Sequence, residues 1–574
     1  MATLRYKNPV VPGFYPDPSV IRVGEDYYMA ASSFEYMPGL PIFHSRNLTD
    51  WRQIGHALNR RSQIDLSTRK SSEGIYAPTL RYHQGVFYLI TTDVMRIGNF
   101  YITSVDPAGA WSDPIRIPYG NIDPSLLFDD DGKVYVTVQS GAGAESHIIQ
   151  YEIDIATGQA LTEPVAIAHG DGGVWTEGPH LYHIGSRYYL LCACGGTGRD
   201  HRTLVYRADA PYGPFELMKE PMLTHNGLPS HPIQNTGHAE LIEDTRGDWW
   251  TLFLGVRPVV DVRPVADCEE AALQAEVPSS YSVLGRETFL APVHWTTDGW
   301  PVADNNTGMV QLHMSVDRQP LGLAGQACAL AAAQLAPVQP ASVQRHSWRD
   351  DFGGQRLDCR WTAPRRLCEV SASLNARPGW LTLTGNRHTL LEEAPSVFLG
   401  TRLRHHQVTV RSRLHFQPQQ AGEEAGLAVR LNERGHFTLG VRRVEDGERL
   451  TVVASVTDQG KPTVLASVPL PVAPDIQSGE GVEFRILSDA YHFALSYAIR
   501  PGNWMPLATV PAYVVSPERN GGFTGALIGM YATMSVARGE LSESHSPSHT
   551  AVDQAARVTA TPAYFGYFSY DGMD

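Results

Sequence analysis

The run Glu177-Gly178-Pro179-His180-Leu181-Tyr182-His183-Ile184-Gly185-Ser186-Arg187-Tyr188-Tyr189 reads as an acid, a strand, a tight turn and a second strand. A glycine-centred turn between two alternating apolar runs is a β-hairpin signal. The same arrangement occurs in Val23-Gly24-Glu25-Asp26-Tyr27-Tyr28, His83-Gln84-Gly85-Val86-Phe87-Tyr88, Asp131-Gly132-Lys133-Val134-Tyr135 and Asp244-Thr245-Arg246-Gly247-Asp248-Trp249-Trp250. Further strand-like runs come after each hairpin, as in Ile42-Phe43-His44-Ser45 before Trp51-Arg52-Gln53-Ile54. A four-stranded unit of roughly 45–60 residues, repeated five times, predicts a five-bladed β-propeller in an all-β chain.

Aligning the hairpins places five openings at equivalent positions: Asp17-Pro18-Ser19, Ala77-Pro78-Thr79, Asp123-Pro124-Ser125, Glu177-Gly178-Pro179 and His238-Ala239-Glu240. In a propeller the first strand of each blade lines the central channel, so these residues form a ring at its mouth. Folding alone favours small or apolar residues there, as at Ala77, because clustered carboxylates repel and lose hydration. Asp17, Asp123 and Glu177 are therefore the candidate catalytic residues. Glu177 comes after an aromatic and sits between glycines, a setting for a carboxyl that stays protonated near neutral pH. Two carboxyls acting across a bond, one protonated and one ionised, are the minimum for glycoside hydrolysis, and a third can raise the acid's pKa.

Aromatics near the ring, namely Phe34, Tyr76, Trp175 and Phe253, have the shape to stack on sugar faces, with core packing as the competing role for each. Arg286, in Leu284-Gly285-Arg286-Glu287-Thr288, either enters the channel and steadies a carboxylate or pairs with Glu287 at the surface. His238 is either a ligand of a central cation or water cluster, or a hydrogen-bonded core histidine. Asp129-Asp130-Asp131-Gly132 lacks the downstream glutamate of a calcium loop and reads as a hairpin turn.

Composition narrows the partners. The 574 residues carry 46 basic against 60 acidic side chains, a formal charge of −14 with no basic run, which excludes nucleic acid and anionic membrane surfaces as natural partners. No stretch is apolar and long enough to span a bilayer, and the N-terminus lacks the apolar core of a signal peptide, so the expected location is cytoplasmic. The six cysteines have no paired metal-site spacing and read as small buried hydrophobes.

The repeat stops after Pro301. A Pro/Gly-containing, Ala-rich segment reads as a linker, and from Trp348 onward the pattern turns to longer alternating strands such as Val408-Thr409-Val410-Arg411-Ser412-Arg413-Leu414. About ten of them predict a two-sheet sandwich. The expected organisation is a catalytic propeller over 1–307, a linker over 308–345, a concanavalin-like sandwich over 346–545, and an aromatic tail over 546–574 that packs on a domain. The stretch from Ser542 to Ala555 reads as prone to disorder.

At these residues the sequence resembles glycoside hydrolase family 43, specifically its β-xylosidases with a C-terminal sandwich. The stretches that carry the resemblance are Asn8-Pro9 through Asp17-Pro18-Ser19, Ile122-Asp123-Pro124-Ser125-Leu126, Trp175-Thr176-Glu177-Gly178-Pro179-His180, Leu284-Gly285-Arg286-Glu287-Thr288 and Asp298-Gly299-Trp300-Pro301. The resemblance implies an inverting mechanism with Asp17 as general base, Glu177 as general acid and Asp123 tuning Glu177. It also implies sugar contacts from Arg286, and a pocket-narrowing aromatic from the sandwich, Phe523 in Gly522-Phe523-Thr524-Gly525. It places His238 where some members hold a central calcium; no cofactor is otherwise required. Tyr76 stands where tryptophan is common in the family, which bears on specificity rather than chemistry.

The expected function is an exo-acting, inverting β-1,4-xylosidase that takes xylo-oligosaccharides at the non-reducing end. Its rivals are an α-L-arabinofuranosidase or a bifunctional enzyme, because the two pentoses present similar hydroxyls, and a non-catalytic carbohydrate-binding propeller, against which the three acids argue. A homo-oligomer is compatible with the sequence. Inversion further predicts roughly 6.5–9.5 Å between the Asp17 and Glu177 carboxyls.

Overall fold

The computed structural model describes residues 2–260, 278–303, 310–318, 345–444, 450–470, 481–534 and 560–573. The chain is nearly all β, with almost no helix among the described residues. It divides into two compact units: Met1–Val260 with Ser280–Ser342 and Phe523–Gly525, and Asp261–Ser279 with Val343–Gly522 and Ala526–Asp574.

The first unit contains five antiparallel sheets that begin with the strands Ser19–Val23, Thr79–His83, Ile122–Phe128, Glu177–Ile184 and Gln234–Glu243. Each first strand turns directly into its partner. Val23 pairs with Asp26 and Ile184 with Arg187, and the turns are made by Gly24 and Gly185, both at φ +64°, where a side chain is disfavoured.

The five first strands are joined in a closed circuit. Ser19 Oγ accepts the Leu80 N–H at 2.8 Å, and Arg81 Nε donates to the Leu126 carbonyl at 2.9 Å. Asp123 Oδ2 accepts from Gly178 N–H at 3.1 Å, and the Tyr182 hydroxyl accepts from Leu241 N–H at 2.9 Å. Glu240 Oε2 accepts from Val20 N–H at 2.6 Å, which returns to the start. Outside the ring, buried aromatic and branched side chains fill the spaces between sheets; Tyr189, Leu191, Phe253, Phe289 and Trp300 share one such cluster.

Part of the expected linker is a strand. His313–Arg318 pairs antiparallel with Ala2–Lys7, in register from Ala2↔Arg318 to Lys7↔His313, and Met314 is buried in the adjacent core. The alternation in His313-Met314-Ser315-Val316 is obscured by the Pro/Gly-rich sequence next to it. The rest of that segment, 319–344, lies outside the described residues.

The second unit holds an eight-stranded and a six-stranded sheet. Phe437 of the six-stranded sheet meets Phe493 of the eight-stranded one, ring centroids 5.1 Å apart. The aromatic end of the chain packs as a strand: Pro562–Met573 lies inside the eight-stranded sheet, paired with Gln407–His415, Leu381–Thr384 and Arg345–Asp350. Phe565 and Phe568 are fully buried, and Trp348 stacks on Tyr570 at 5.8 Å. The strand alternates too imperfectly to be read alone, because its neighbours come from distant sequence. The expected disorder over Ser542 to Ala555 lies outside the described residues.

Replacing Glu240 by alanine leaves the partly buried Arg81 opposite no charge. Chemical denaturation of Glu240→Ala is expected to show a loss of about 3–5 kcal/mol, while an exposed pair such as Arg96–Asp65 should cost under about 1 kcal/mol when broken.

Candidate active site

The acids sit at breaks in their ladders. The pairing of Ile122–Phe128 with its neighbour shifts between Ile122 and Ser125, and that of Glu177–Ile184 shifts between Glu177 and His180. Asp17 and Asp123 adopt φ +56° and +57°, and Gly178, next to Glu177, also has φ +57°. Left-handed backbone ahead of a proline, which donates no N–H, ends regular pairing and re-aims the side chain. The Asp-Pro and Glu-Gly-Pro sequences are thus the local cause of the acids' orientation.

Asp17 is 5% exposed. Ser32 Oγ donates to its Oδ2 at 2.5 Å, Arg286 Nη1 to its Oδ1 at 3.3 Å, and His238 Nδ1 lies 3.5 Å from Oδ1. Burial pushes this carboxyl up, but Arg286, His238 and Ser32 together outweigh burial and hold it below the ordinary carboxylate range. Asp123 is raised well above that range, first by burial and then by the charges of Glu177 and Asp17. Glu177, half-buried, is pushed up to about 7 by burial and by Asp17, with Arg286 opposing. At neutral pH the cluster therefore holds one carboxylate kept ionised and two neighbours that resist ionisation.

Arg286 faces Asp17 and is not paired with Glu287. Successive strand residues point to opposite faces, and Glu287 is taken by Arg257 at 2.8 and 3.0 Å and by the Gly13 N–H at 2.7 Å. The Arg286 guanidinium also lies 5.6 Å from the Phe34 ring centroid and donates to the Phe523 carbonyl at 3.3 Å. The buried Phe14 and Phe34 and the half-buried Tyr76 form an aromatic wall, with Phe34 at 5.5 Å from Phe14 and 5.1 Å from Tyr76. Tyr76 donates its hydroxyl hydrogen to the Ser72 carbonyl, and the Phe523 N–H donates to Ser72 Oγ at 2.8 Å. The Phe523 side chain itself is 47% exposed. Phe253 does not belong to this group: it is fully buried against Phe289 in the core, so its expected sugar contact is withdrawn.

His238 packs against Gly178, where a Cβ would fall 2.9 Å from the imidazole. Burial lowers its pKa despite Asp17. Calcium takes six to eight oxygen ligands, whereas His238 offers one nitrogen facing an aspartate already bonded to Ser32 and Arg286. Among the described residues no three His, Cys, Asp or Glu side chains converge as a metal group. This donor set does not fit a protein-built calcium cage.

Ser32 and His201 are not singled out by the sequence. Ser32 lies in Ala30-Ala31-Ser32-Ser33, a small-residue run without period that gives no signal. His201 Nδ1 donates to the Asn235 carbonyl at 3.1 Å and its Nε2 is buried without a hydrogen bond; burial first, then His238, pushes it down to about 3. It closes Gly195-Gly196-Thr197-Gly198-Arg199-Asp200-His201, whose glycines mark only a turn.

The sequence model described as glycosyl hydrolases family 43 matches residues 6–301, and that of the β-xylosidase C-terminal concanavalin A-like domain matches 349–542. The chain is 35% identical over 541 residues to a non-reducing end α-L-arabinofuranosidase of Bacteroides ovatus, covering 93% of this chain and 92% of that one. It is 33% identical over 544 residues to a xylosidase/arabinosidase of Butyrivibrio fibrisolvens, covering 92% and 95%. The structure of a xylan β-1,4-xylosidase from Bacillus halodurans superposes with a TM-score of 0.81 at 29% identity, covering 99% of this chain and 100% of that one.

Ser32→Ala removes a donor that favours ionised Asp17. Its pKa should rise, so the acid limb of kcat/KM should move to higher pH by about 0.5–1 unit, with the alkaline limb in place. A pH–rate profile of the purified variant measures both limbs.

Proposed function

The chain belongs to glycosyl hydrolase family 43, and from that premise we propose that it is an inverting exo-glycosidase that releases terminal xylose from the non-reducing end of xylo-oligosaccharides. The observation that carries the reading is the unequal setting of its acids: Asp17 is bonded by Arg286 and Ser32 and held low, whereas burial and Asp17 raise Glu177 to about 7. In this reading the five sheets are the five blades of a propeller, and the acids line its mouth.

Asp17 takes a proton from water as the water oxygen bonds to the anomeric carbon. Glu177 gives its proton to the glycosidic oxygen as the carbon–oxygen bond breaks, and the sugar leaves with inverted configuration. Asp123 accepts the Gly178 N–H beside Glu177 and so steadies the backbone that carries the acid, while burial and the charge of Asp17 keep Glu177 protonated. Arg286 and the Phe34–Tyr76 wall hold the terminal sugar, and Phe523 narrows the entrance. The acid and base of this reading act without help from a metal, and a cation beside His238 would be held mostly by water.

The second reading, α-L-arabinofuranosidase activity, is favoured by the name of the Bacteroides ovatus relative. Paired kcat/KM values on nitrophenyl β-xyloside and α-L-arabinofuranoside decide between them; a dominant arabinoside rate overturns the xylosidase assignment. A non-catalytic propeller is not favoured.

For the xylosidase, kcat/KM should fall as pH rises through about 7, where Glu177 loses its proton, and should persist to below about pH 4, where Asp17 is still ionised. Glu177→Ala should lower turnover of xylobiose by about 10²–10⁴-fold. NMR of fresh digests should show the α-anomer of xylose first; the β-anomer would mean retention. Dialysis against EDTA, with and without calcium added back, should leave kcat/KM within about twofold.

A further inference from the structure

Trp175 stands two residues before Glu177 and is unlike the other aromatics around the acids. Its backbone has φ +56°, a left-handed conformation that a bulky residue rarely adopts. Its N–H donates to the Gly143 carbonyl at 2.8 Å, and the preceding Val174 carbonyl accepts the Gly195 N–H at 2.8 Å, so the neighbouring loops hold the strained turn in place. Yet the side chain gains little burial from this strain, since it is 38% exposed. The edge of its indole rests over Gly196, where a Cβ would lie 3.6 Å from Cδ1. A residue kept for folding would be buried or unstrained. Strain that persists beside a functional group, and presents an apolar face to solvent, points to a ligand.

Chemistry fixes the place of that ligand. The general acid must reach the oxygen that links the terminal sugar to the rest of the substrate. The solvent side of the acid therefore faces the leaving group. Phe34 and Tyr76 are packed against each other in the wall of the terminal-sugar pocket, and their rings are engaged there. Trp175 offers an open face, carried on the same approach to the strand as Glu177.

We propose that Trp175 is the platform for the leaving-group sugar, its indole stacking on the C–H face of the second ring, and that it sets the preference for the unit beyond the terminal pentose. This rests on the reading of Glu177 as the general acid. Indole and sugar faces complement each other because the apolar face of the ring is desolvated while its hydroxyls stay in water.

The test compares xylobiose, which carries a second sugar, with β-xylosyl fluoride, which carries none. In Trp175→Gly the ratio of kcat/KM for xylobiose to that for the fluoride should fall about tenfold, and in Trp175→Phe it should recover most of the way. The melting temperature of Trp175→Gly should equal or exceed that of the wild type, because glycine relieves the left-handed strain. A ratio within about twofold of the wild type overturns the proposal, as does a lowered melting temperature with both substrates lost together. If the wild type prefers arabinofuranosides, the same ratio is taken with an arabinofuranosyl disaccharide and arabinofuranosyl fluoride. A wild type inert on both series overturns the reading of the site and this proposal with it; an active wild type with an unchanged ratio overturns the role of Trp175 alone.

Discussion

The carboxylate of Glu240 lies fully buried where the first strands of the sheets meet, and it faces the guanidinium of Arg81 there. It accepts the Val20 N–H and lies 3.4 Å from His180 Nδ1, so one side chain touches three strands besides its own. Arg81 carries the linkage on to the fifth through the Leu126 carbonyl. A charge so far from water is tolerated only when its lone pairs are used. The circuit of strands supplies the partners, and the carboxylate in turn fixes their spacing.

That fixed spacing is what lets a second set of charges be left in conflict. Asp17, Asp123 and Glu177 open positions of the same circuit, close enough that the charge of Asp17 raises the proton affinity of the other two. In water such groups would move apart or gather counter-ions. Here the strands cannot yield, and the guanidinium of Arg286 is given to Asp17. The asymmetry of one arginine, one serine hydroxyl and one histidine on a single carboxyl separates one carboxylate kept ionised from two neighbours that resist ionisation. That difference depends on where one guanidinium points, and Glu287, the neighbour of Arg286 in the chain, is taken by Arg257 instead.

Much of this is legible in sequence where the information is local. Hairpin turns with glycine, and acids set before proline or between glycines at strand openings, recur at a regular interval, so the repeat and its ring can be read directly. Residues that act through distant partners cannot. Ser32 has no period or motif around it, His201 ends a glycine-rich turn, and Pro562–Met573 pairs with Gln407–His415, about 150 residues earlier in the chain. Phe253 shows the opposite failure: an aromatic near the ring in sequence is packed on Phe289, because the strand it occupies faces the core at that position.

By itself, the sequence determined the all-β class, the repeated unit, the three acids at its openings and their family likeness. All of these depend on short-range pattern, set by turn geometry and strand alternation. Only the tertiary structure decided which acid keeps its charge, which arginine it meets, which aromatics form a wall and which remain exposed. Those outcomes depend on burial and on distances between residues far apart in the chain, and neither is written in the order of the residues until the strands close on one another.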